Sequence, residues 1–408
     1  MPEAEQNIKI RIEGLSKIFG SRHHIPEARK MLKQGKSKEE ILRKTGCGVG
    51  LSDVNFSVAE GEILVVMGLS GSGKSTLVRC INRLIEPTSG RIFIDGEDIT
   101  ALSPEKLRHI RLTKLGMVFQ NFALFPHRTV CQNAEYGLEI QGMPQETRKK
   151  KAMIALEQVG LKGWEDHYPH NLSGGMQQRV GLARALALDP DILLMDEAFS
   201  ALDPLIRSDM QDELIHLQQK LQKTIVFISH DLDEALKIGD RIVLMKDGQV
   251  VQIGTAEEIL TNPATPYVER FVENVDITRV LTAESIMIRP KAMVSPDMHG
   301  PKTALRFMQK EGFSQIFVHD RKHRVIGILS AEAASEAAHR GERDLSAVMQ
   351  KDFIHVTPET PAADLIPILA DIPYPLPVLD TQGHMKGIII RGSLLAALAE
   401  KGRNSDHA

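Results

Sequence analysis

The chain has 408 residues, and its 42% of hydrophobic and 25% of charged residues are typical of a globular protein of two or three domains, which excludes a disordered or collagen-like chain. The 50 basic and 53 acidic residues give a formal net charge of −3, so the protein as a whole has no bulk attraction for nucleic acid. The 3 cysteines lie far apart in the sequence, which argues against a disulfide framework or a zinc site and fits a reducing compartment.

The sequence predicts no membrane segment. The polar stretch Met1–Lys9 lacks the apolar core of a signal peptide, and no apolar run approaches the roughly 20 residues that a membrane helix needs. If the protein works at a membrane, we therefore expect a partner to supply the membrane span.

The pattern of apolar residues in 1–275 predicts alternating strands and helices. Alternating apolar and polar residues predict a strand at Ile8–Ile12, and Leu51–Val58 predicts a second. Nearly continuous apolar runs, typical of strands buried on both faces, follow at Glu62–Met67, Gly116–Phe119, Ile192–Met195 and Thr224–Ile228. Helical stretches separate them, the first at Ser75–Ile85, which indicates an α/β domain with a mostly parallel sheet. Residues 121–188 have no convincing buried strand and predict a helical subdomain.

Between the first two strands, residues 21–49 predict a basic helical hairpin. Pro26 is expected to begin its first helix. Ser37 and Glu40 predict a capping box at the start of the second helix, which Gly46 ends. The apolar residues expected on the inner faces are Ala28, Met31, Leu32, Ile41 and Leu42. The eight basic residues of the hairpin are Arg22, Arg29, Lys30, Lys33, Lys36, Lys38, Arg43 and Lys44.

A glycine-rich loop follows the apolar run that ends at Met67. Gly68–Ser75 reads GLSGSGKS, which matches the phosphate-loop pattern G-x-x-x-x-G-K-[ST] and lies between a buried strand and the start of a helix. Backbone N–H groups of such a loop surround a phosphate, its lysine contacts the β- and γ-phosphates, and its last residue binds Mg²⁺. A glycine-rich turn with a chance lysine is the alternative, which this context disfavours. The residues expected to bind nucleotide here are Gly68, Ser70, Gly71, Ser72, Gly73, Lys74, Ser75 and Thr76.

A second buried strand, Ile192–Met195, leads into two carboxylates. Asp196 is expected to hold Mg²⁺ through water or together with Ser75, and Glu197 is expected to orient or deprotonate an attacking water. Many strands end in aspartate, so this strand alone indicates little. The phosphate loop needs an acidic partner for its metal, and this need favours a metal-binding role for the carboxylates of the strand.

Three further polar motifs stand at the ends of predicted elements. Leu172–Gln178 opens a helix with SGG, which is either an anion-binding helix terminus or an ordinary N-cap with a flexible entry. Gln120 and His230 each follow a buried strand, and either one alone would more often be a satisfied loop residue than a ligand. Ser200–Asp203 follows the acidic strand. Their order along the chain favours a common site.

From about residue 8 to 272, this ordered set resembles the ATP-binding subunits of ABC transporters. The correspondence runs from Walker A at Gly68–Ser75 through the Q-loop at Gln120, the signature at Leu172–Gln177, Walker B at Ile192–Asp196 and the D-loop at Ser200–Asp203 to the switch histidine at His230. Phe19 stands where the family has an aromatic adenine platform, more often a tyrosine. A phenylalanine of the hydrophobic core is the alternative for Phe19.

The resemblance implies a mechanism for ATP and Mg²⁺. Two copies would bind two ATP molecules head to tail, each site joining the phosphate loop of one chain to the signature of the other. Glu197 would drive hydrolysis, aided by His230, and Gln120 would act there and at the metal beside Ser75 and Asp196. The residues that the resemblance directs toward the opposite site are Ser173, Gly174, Gly175, Gln177 and Asp203.

The inserted hairpin and the C-terminal region together resemble the ATPase subunits of bacterial glycine betaine/proline betaine importers. The matches Glu86–Gly90, Leu193–Asp212 and Ile228–Asp240 fit this subgroup. It implies a separate membrane permease that contacts the segment after Gln120, a solute-binding protein acting indirectly, and a location on the cytoplasmic face of the membrane. Alternatives are an ATPase for another small solute, such as an amino acid, and an ABC ATPase acting on DNA or ribosomes. The last would need a long coiled coil or a basic face.

Residues 280–400 contain an internal repeat with an offset of 60 residues, for example Thr303–Leu305 against Ala363–Leu365. Each copy, about 280–340 and 345–400, predicts helix, strand, turn, strand and helix. The pair resembles tandem CBS motifs, although Ala333 stands where copies that bind adenine nucleotides have aspartate. Cyclic di-AMP remains a candidate ligand, and a purely structural dimerisation module is the alternative.

The basic hairpin has two interpretations. It is either a solvated surface feature, or a segment attracted to the anionic membrane surface beneath a permease. In the second case, rising internal salt would screen the attraction and release the hairpin.

Overall fold

The computed structural model describes residues 7–404 except 274, 276, 277, 279 and 291, and the chain divides into two compact units, Met1–Val275 and Asp276–Ala408. Most of the polar N-terminal stretch and most of the segment between the two predicted domains lie outside the described residues. No helix in the described part is long and apolar enough to cross a bilayer.

The first unit combines two sheets with helices. Its strands are β1 (Ile8–Phe19), β2 (Gly48–Ala59), β3 (Ile63–Met67), β4 (Ser89–Ile94), β5 (Glu97–Asp98), β6 (Leu115–Phe119), β7 (Ile192–Asp196), β8 (Thr224–Ile228), β9 (Arg241–Lys246) and β10 (Gln249–Gly254). Its helices are α1 (Ile25–Lys33), α2 (Lys38–Thr45), α3 (Lys74–Ile81), α4 (Pro104–Thr113), α5 (Val130–Ala134), α6 (Tyr136–Ile140), α7 (Gln145–Gln158), α8 (Gly174–Leu186), α9 (Pro204–Leu221), α10 (Leu232–Ile238), α11 (Ala256–Thr261) and α12 (Pro266–Val272).

The central sheet has the strand order β10-β9-β3-β8-β7-β6, and every pair except β10 with β9 is parallel. Every residue of β3, β7 and β8 is buried, as their continuous apolar runs predict. Each fully buried Val, Leu or Ile side chain in such strands stabilises the fold by about 1.5–3 kcal/mol. The predicted mostly parallel sheet is confirmed, and its carboxyl edge carries the polar motifs.

A second, antiparallel sheet with the order β2-β1-β4-β5 was not predicted. Its strand β1 extends to Phe19, well beyond the predicted end at Ile12. The pairing with β2 shifts register between Ile12 and Leu15, and Gly14 between them has a φ of 59°. A bulge adds an unpaired residue, so the alternation of apolar and polar side chains breaks although the strand continues.

The helix after the phosphate loop is shorter than predicted. Helix α3 ends at Ile81 instead of Ile85, and Asn82 is its C-cap. Arg83 follows with a φ of 53°, a left-handed conformation that reverses the chain direction. The apolar residues beyond Ile81 belong to the turn that follows the helix, which periodicity alone does not separate from the helix.

The inserted hairpin forms two helices, α1 and α2, as predicted. Ser37 Oγ accepts a hydrogen bond from Glu40 N at 3.2 Å, but the Glu40 carboxylate pairs with Lys44 at 2.9 Å, so only half of the capping box forms. Gly46 ends α2 with a φ of 68°. Leu42 is 54% exposed, contrary to the prediction. The buried residues that form the small core under the hairpin are Ile18, Ala28, Met31, Ile41, Cys47 and Val49.

The second unit repeats one arrangement twice, as the internal repeat predicts. Its strands are β11 (Met293–Val294), β12 (Gln315–His319), β13 (Val325–Ser330), β14 (Leu376–Leu379) and β15 (Met385–Ile389), and its helices are α13 (Ala283–Ile286), α14 (Pro301–Glu311), α15 (Ala331–His339), α16 (Ala362–Asp371) and α17 (Arg391–Asn404). Strands β11–β13 form one sheet and β14 pairs with β15. One apolar cluster, including Phe317, Ile328 and Ile388, joins the two copies.

Candidate nucleotide site

The loop between β3 and α3 has a backbone that only glycine fits at two positions. Gly68 has a φ of 146°, and a Cβ there would lie 2.2 Å from the carbonyl oxygen of Met245. Gly73 has a φ of 105°, and a Cβ there would lie 2.6 Å from the carbonyl oxygen of Gly50. The glycine spacing of the motif therefore has a steric cause, and it keeps the loop wrapped tightly against β2 and the turn after β9.

Lys74 closes this loop upon itself. Its Nζ donates to the carbonyl oxygens of Gly68 at 2.7 Å and Leu69 at 3.3 Å. Burial lowers the pKa of the Lys74 amine, while the Glu197 and Asp196 carboxylates act in the opposite direction. Ser72 Oγ is buried without a hydrogen-bond partner among the described residues. A buried ammonium and an orphaned hydroxyl in one loop fit a phosphate group, which would supply the missing acceptor.

A hydroxyl and a carboxylate meet beside the loop. Ser75 Oγ donates to Asp196 Oδ1 at 2.9 Å, and Asp196 Oδ2 pairs with Arg79 at 3.3 Å. No group of three or more His, Cys, Asp or Glu side chains in the described part of the chain could hold a metal by itself. The oxygen pair of Ser75 and Asp196 fits Mg²⁺, which commonly takes one or two protein ligands and completes its shell with phosphate oxygens and water. Arg79 belongs to no sequence motif, so its place beside Asp196 was not predicted.

Around Glu197 the structure brings together residues from three different loops. The Oε2 atom of Glu197 lies 3.3 Å from Gln120 Nε2 and 3.5 Å from His230 Nδ1. Gln120 Nε2 also donates to Ser200 Oγ at 3.2 Å, and Ser200 Oγ donates to the carbonyl oxygen of Glu197 at 2.9 Å. This is a carboxylate with an amide and an imidazole beside it, a geometry that can hold and deprotonate a water. Ser200 was noticed as part of a motif but not assigned a role from the sequence.

Phe19 lies at the edge of the same site. Its ring is 43% exposed, so it is not part of the hydrophobic core, and Lys17 Nζ lies 5.0 Å from its centroid. A Cβ on Gly50 would lie 2.7 Å from Phe19 Cε2 and 3.4 Å from Thr76 Cγ2. The partly exposed ring therefore stands close to Thr76, in the first turn of α3 after the phosphate loop.

The signature residues and Asp203 serve as helix caps in this structure. Ser173 Oγ accepts from Met176 N at 3.4 Å at the start of α8, and Gln177 Nε2 donates to Leu172 O at 3.2 Å. Asp203 Oδ1 accepts from Ile206 N at 3.1 Å at the start of α9. Among the described residues, no hydrogen bond or ion pair joins the signature Ser173–Gln177 or Asp203 to the phosphate loop of the same chain.

Comparisons with known proteins agree with this geometry. A family model described as ABC transporter matches residues 51–200, and the CBS domain model matches residues 283–339 and 344–400. A protein of Bacillus subtilis named glycine betaine transport ATP-binding protein is 55% identical over 97% of this chain and 93% of its own length. The chain belongs to the ATP-binding subunits of ABC transporters. It is an ATPase coupled to transport across a membrane.

Further relatives and solved structures support the family. The ATP-binding protein of the Escherichia coli glycine betaine/proline betaine transport system is 50% identical over 98% of this ABC subunit and 99% of its own length. A dimeric ATP-binding cassette solved in a post-hydrolysis state with ADP and Pi has 33% identity and a TM-score of 0.51, covering 60% of this chain and 98% of that one. The predicted fold, a P-loop ABC ATPase followed by tandem CBS domains, is confirmed.

Proposed function

We propose that this ATPase energises the import of a quaternary-ammonium compatible solute, glycine betaine or proline betaine, through a separate membrane permease. The observation that carries the proposal is the 55% identity, over 97% of the chain, with a subunit named for glycine betaine transport. An ATPase subunit does not touch the solute, so the support comes from relatives that share the whole chain and not from the geometry of the nucleotide site.

A second candidate solute is trimethylamine N-oxide. An ATP-binding protein of a trimethylamine N-oxide transport system in Ruegeria pomeroyi is 55% identical over 254 residues, which is 62% of this chain and 74% of its own length. Glycine betaine and trimethylamine N-oxide are chemically close, because each carries three methyl groups on one nitrogen. A permease for one of them could therefore be served by a very similar ATPase.

The nucleotide-binding roles proposed here follow the geometry of the loop. Phe19 stacks on adenine, and the backbone and side chains of Gly68–Thr76 surround the phosphates. Lys74 supplies a positive charge, because the negatively charged phosphates keep its amine protonated. The left-handed glycines and the unpartnered Ser72 hydroxyl support this assignment. Mg²⁺, when bound, neutralises phosphate charge and holds phosphate oxygens in position. Ser75, Asp196 and Gln120 are the proposed metal ligands.

Hydrolysis is assigned to Glu197. Its carboxylate orients the attacking water and accepts its proton, while Gln120 and His230 hold the carboxylate in place from distances of 3.3 and 3.5 Å. Both neighbours are needed because a free glutamate would sample several rotamers.

The signature and the D-loop are assigned to the opposite chain of a head-to-tail dimer. Ser173, Gly174, Gly175 and Gln177 would contact the partner's ATP, and Asp203 would contact the partner's site. The solved relative with ADP and Pi is dimeric, which supports this assembly. Ser173 and Gly174 are exposed at the start of α8, where a partner chain could reach them.

The assembly is proposed to lie on the cytoplasmic face of the membrane. The permease contacts the ATPase near the segment 121–126, and a solute-binding protein delivers solute from the other side. Seven of the eight basic side chains of the hairpin are exposed, Lys38 being half-buried, which supports an attraction to anionic lipid.

The tandem CBS pair is proposed to bind cyclic di-AMP. A cavity of about 340 Å³ in this unit has an apolar lining that includes Ile316, Phe317 and Ile388. Its polar contributors include Arg289, suited to a phosphodiester, and Gln315, whose buried Oε1 has no partner in the described part of the chain. Calorimetry on the full chain carrying Lys74→Ala, with cyclic di-AMP, AMP and ATP in turn, tests this. Silence from all three favours a purely structural module.

The transport proposal is tested by reconstitution. The chain is co-expressed with the permease and solute-binding protein of a glycine betaine importer, purified as one complex and placed in vesicles. We expect ATP-dependent uptake of labelled glycine betaine, abolished in a matched complex carrying Glu197→Gln. Uptake of trimethylamine N-oxide in its place would support the second candidate. A chain that purifies without any permease would contradict both.

A further inference from the structure

Arg207, in the first turn of α9, contacts two loops at once. Its Nη2 donates to the carbonyl oxygen of Leu202 at 3.1 Å and lies 3.5 Å from that of Ser200. Its Nη1 lies 3.4 Å from Asp231 Oδ2, which belongs to the residue after the switch histidine. One guanidinium therefore joins the D-loop, residues 200–203, to the loop that carries the histidine.

The other side of the histidine is anchored to α9 as well. Ser229 Oγ donates to Glu234 Oε2 at 2.5 Å and accepts from Asp231 N at 2.9 Å. Gln211 Nε2, from α9, donates to Glu234 Oε1 at 3.1 Å. Both sequence neighbours of His230 are thus tied to one helix, the first through a buried carboxyl and the second through the guanidinium.

These two anchored loops carry groups that touch Glu197. Ser200 hydrogen-bonds to the Glu197 carbonyl oxygen and to Gln120, and His230 lies 3.5 Å from the Glu197 carboxylate. A shift of either loop would move a group that holds the carboxylate. Arg207 contacts the backbone of Ser200 and the side chain of Asp231, next to His230. In the described part of the chain, it makes no hydrogen bond or ion pair with the phosphate loop.

We propose that Arg207 is a positioning residue for ATP hydrolysis, which fixes the D-loop to the histidine loop so that Ser200 and His230 keep their places around Glu197. The proposal rests on the role assigned above to Glu197. An arginine is required because a planar guanidinium can contact two carbonyl groups and a carboxylate together, whereas a lysine ammonium acts as a point charge.

The test compares Arg207→Gln with wild type in the assembled transporter. We expect kcat for ATP hydrolysis to fall about tenfold or more, because small displacements of catalytic groups are costly, with KM for ATP changed by less than about twofold. Arg207→Lys should recover only a small part of kcat. The matched control is Asp212→Asn, because Asp212 pairs with Lys237 at 2.8 Å and joins the same helices, α9 and α10, further from the loops. Its kcat should match wild type.

A second variant guards against a folding defect. Asp231→Asn keeps an N-cap for α10 but removes the charge that faces Arg207, and we expect kcat to fall with an unchanged KM. The double variant should be no slower than Arg207→Gln, because the two single substitutions remove the same contact between Arg207 and Asp231. Equal kcat in Arg207→Gln and Asp212→Asn, or full recovery in Arg207→Lys, would overturn the proposal. Normal turnover in Glu197→Gln would instead overturn the assignment of the base.

Discussion

Glu197 has a φ of 49°, in the left-handed region that residues with a side chain rarely adopt. Such a conformation costs on the order of 1–3 kcal/mol and persists only where neighbouring contacts impose it. Here β7 fixes the residue before it, and the Ser200 hydroxyl holds its carbonyl oxygen. In this conformation the carboxylate lies beside Gln120 and His230.

Glu197→Gln is therefore expected to bind ATP normally and to lose turnover by about a hundredfold or more, because an amide cannot accept the proton of the attacking water. Lys74, Ser75 and Asp196 are unchanged, so an ATP-bound dimer should accumulate. Size-exclusion chromatography with ATP and a phosphate-release assay measure the two effects. Near-native ATPase activity in the assembled transporter would show that another group is the base.

Lys74→Ala provides the contrasting result. It removes the buried ammonium that the phosphates would neutralise, so we expect nucleotide binding itself to weaken. Fluorescent-nucleotide titration should show a raised Kd, with no ATP-dependent dimer. Normal affinity in this variant would contradict the proposed phosphate site.

The three cysteines are expected to be inert in the folded protein. Cys47, Cys80 and Cys131 are buried free thiols, and burial raises the pKa of Cys80 to about 12 and that of Cys131 to about 11. The reactive thiolates of Cys80 and Cys131 are therefore scarce at pH 8, and burial shields Cys47 from reagents. A thiol reagent followed by mass spectrometry should label none of them in native protein and all of them in denaturant. Rapid labelling of native protein would contradict their burial.

At the scale of elements, the buried strands were the most predictable. Strand β8 has the bounds predicted for it, because a continuous aliphatic run between polar residues indicates a strand enclosed on both faces. The antiparallel sheet was missed, since a bulge near Gly14 hides the continuation of β1. The end of α3 was misplaced because the apolar residues Leu84 and Ile85, which follow the turn at Arg83, continue the helical pattern. The local pattern of apolar and polar residues indicates which segments are buried, but it does not indicate where the chain changes direction.

The inserted hairpin gives an element-scale prediction about salt. Each exposed Lys or Arg near an anionic surface contributes roughly 1 kcal/mol, and the attraction decays over about 8 Å at physiological salt and about 3 Å at 1 M. Changing Lys30, Lys33 and Lys36 to Gln should therefore lower the internal salt concentration at which transport begins. Uptake into vesicles with anionic lipid, prepared at several internal salt concentrations, measures the threshold.

The control for this variant is Lys38→Gln. Lys38 is half-buried, and burial lowers the pKa of its amine while the Asp247 carboxylate opposes the shift. It adds little to the exposed charge, so its threshold should stay at the wild-type value. An unchanged threshold in the triple variant would leave the hairpin as a solvated surface feature.

At the scale of the whole molecule, the candidate site was predictable where its residues belong to motifs and unpredictable elsewhere. Gln120, Asp196, Glu197 and His230 each end or follow a strand of one parallel sheet, so strand order alone brings them to one edge. Arg79 and Arg207 sit on helices in no recognisable pattern. Their contacts depend on how α3 and α9 pack against the sheet, which local sequence does not encode.

The two-unit organisation predicts that the C-terminal unit regulates ATP hydrolysis but does not perform it. All the proposed catalytic residues lie in Met1–Val275, which has its own core. A chain ending at Val275 should keep basal ATPase activity and ATP-driven dimerisation, and lose only the response to a ligand of the CBS pair. Loss of basal activity in a truncated chain with a normal melting temperature would contradict this division.

The pairing of β1 with β2 also bears on how this subunit could have evolved. Phe19 faces Gly48 and Ile18 faces Val49 across the two strands, so the inserted hairpin leaves and re-enters the sheet at a single point. A two-residue Asn-Gly turn could close the same strands. Segments of different length at this point differ little in closure entropy, about 0.6 kcal/mol for each doubling. A segment at this junction could therefore be gained, lost or exchanged without disturbing the sheet, and an engineer could insert a fluorescent reporter there, next to Phe19.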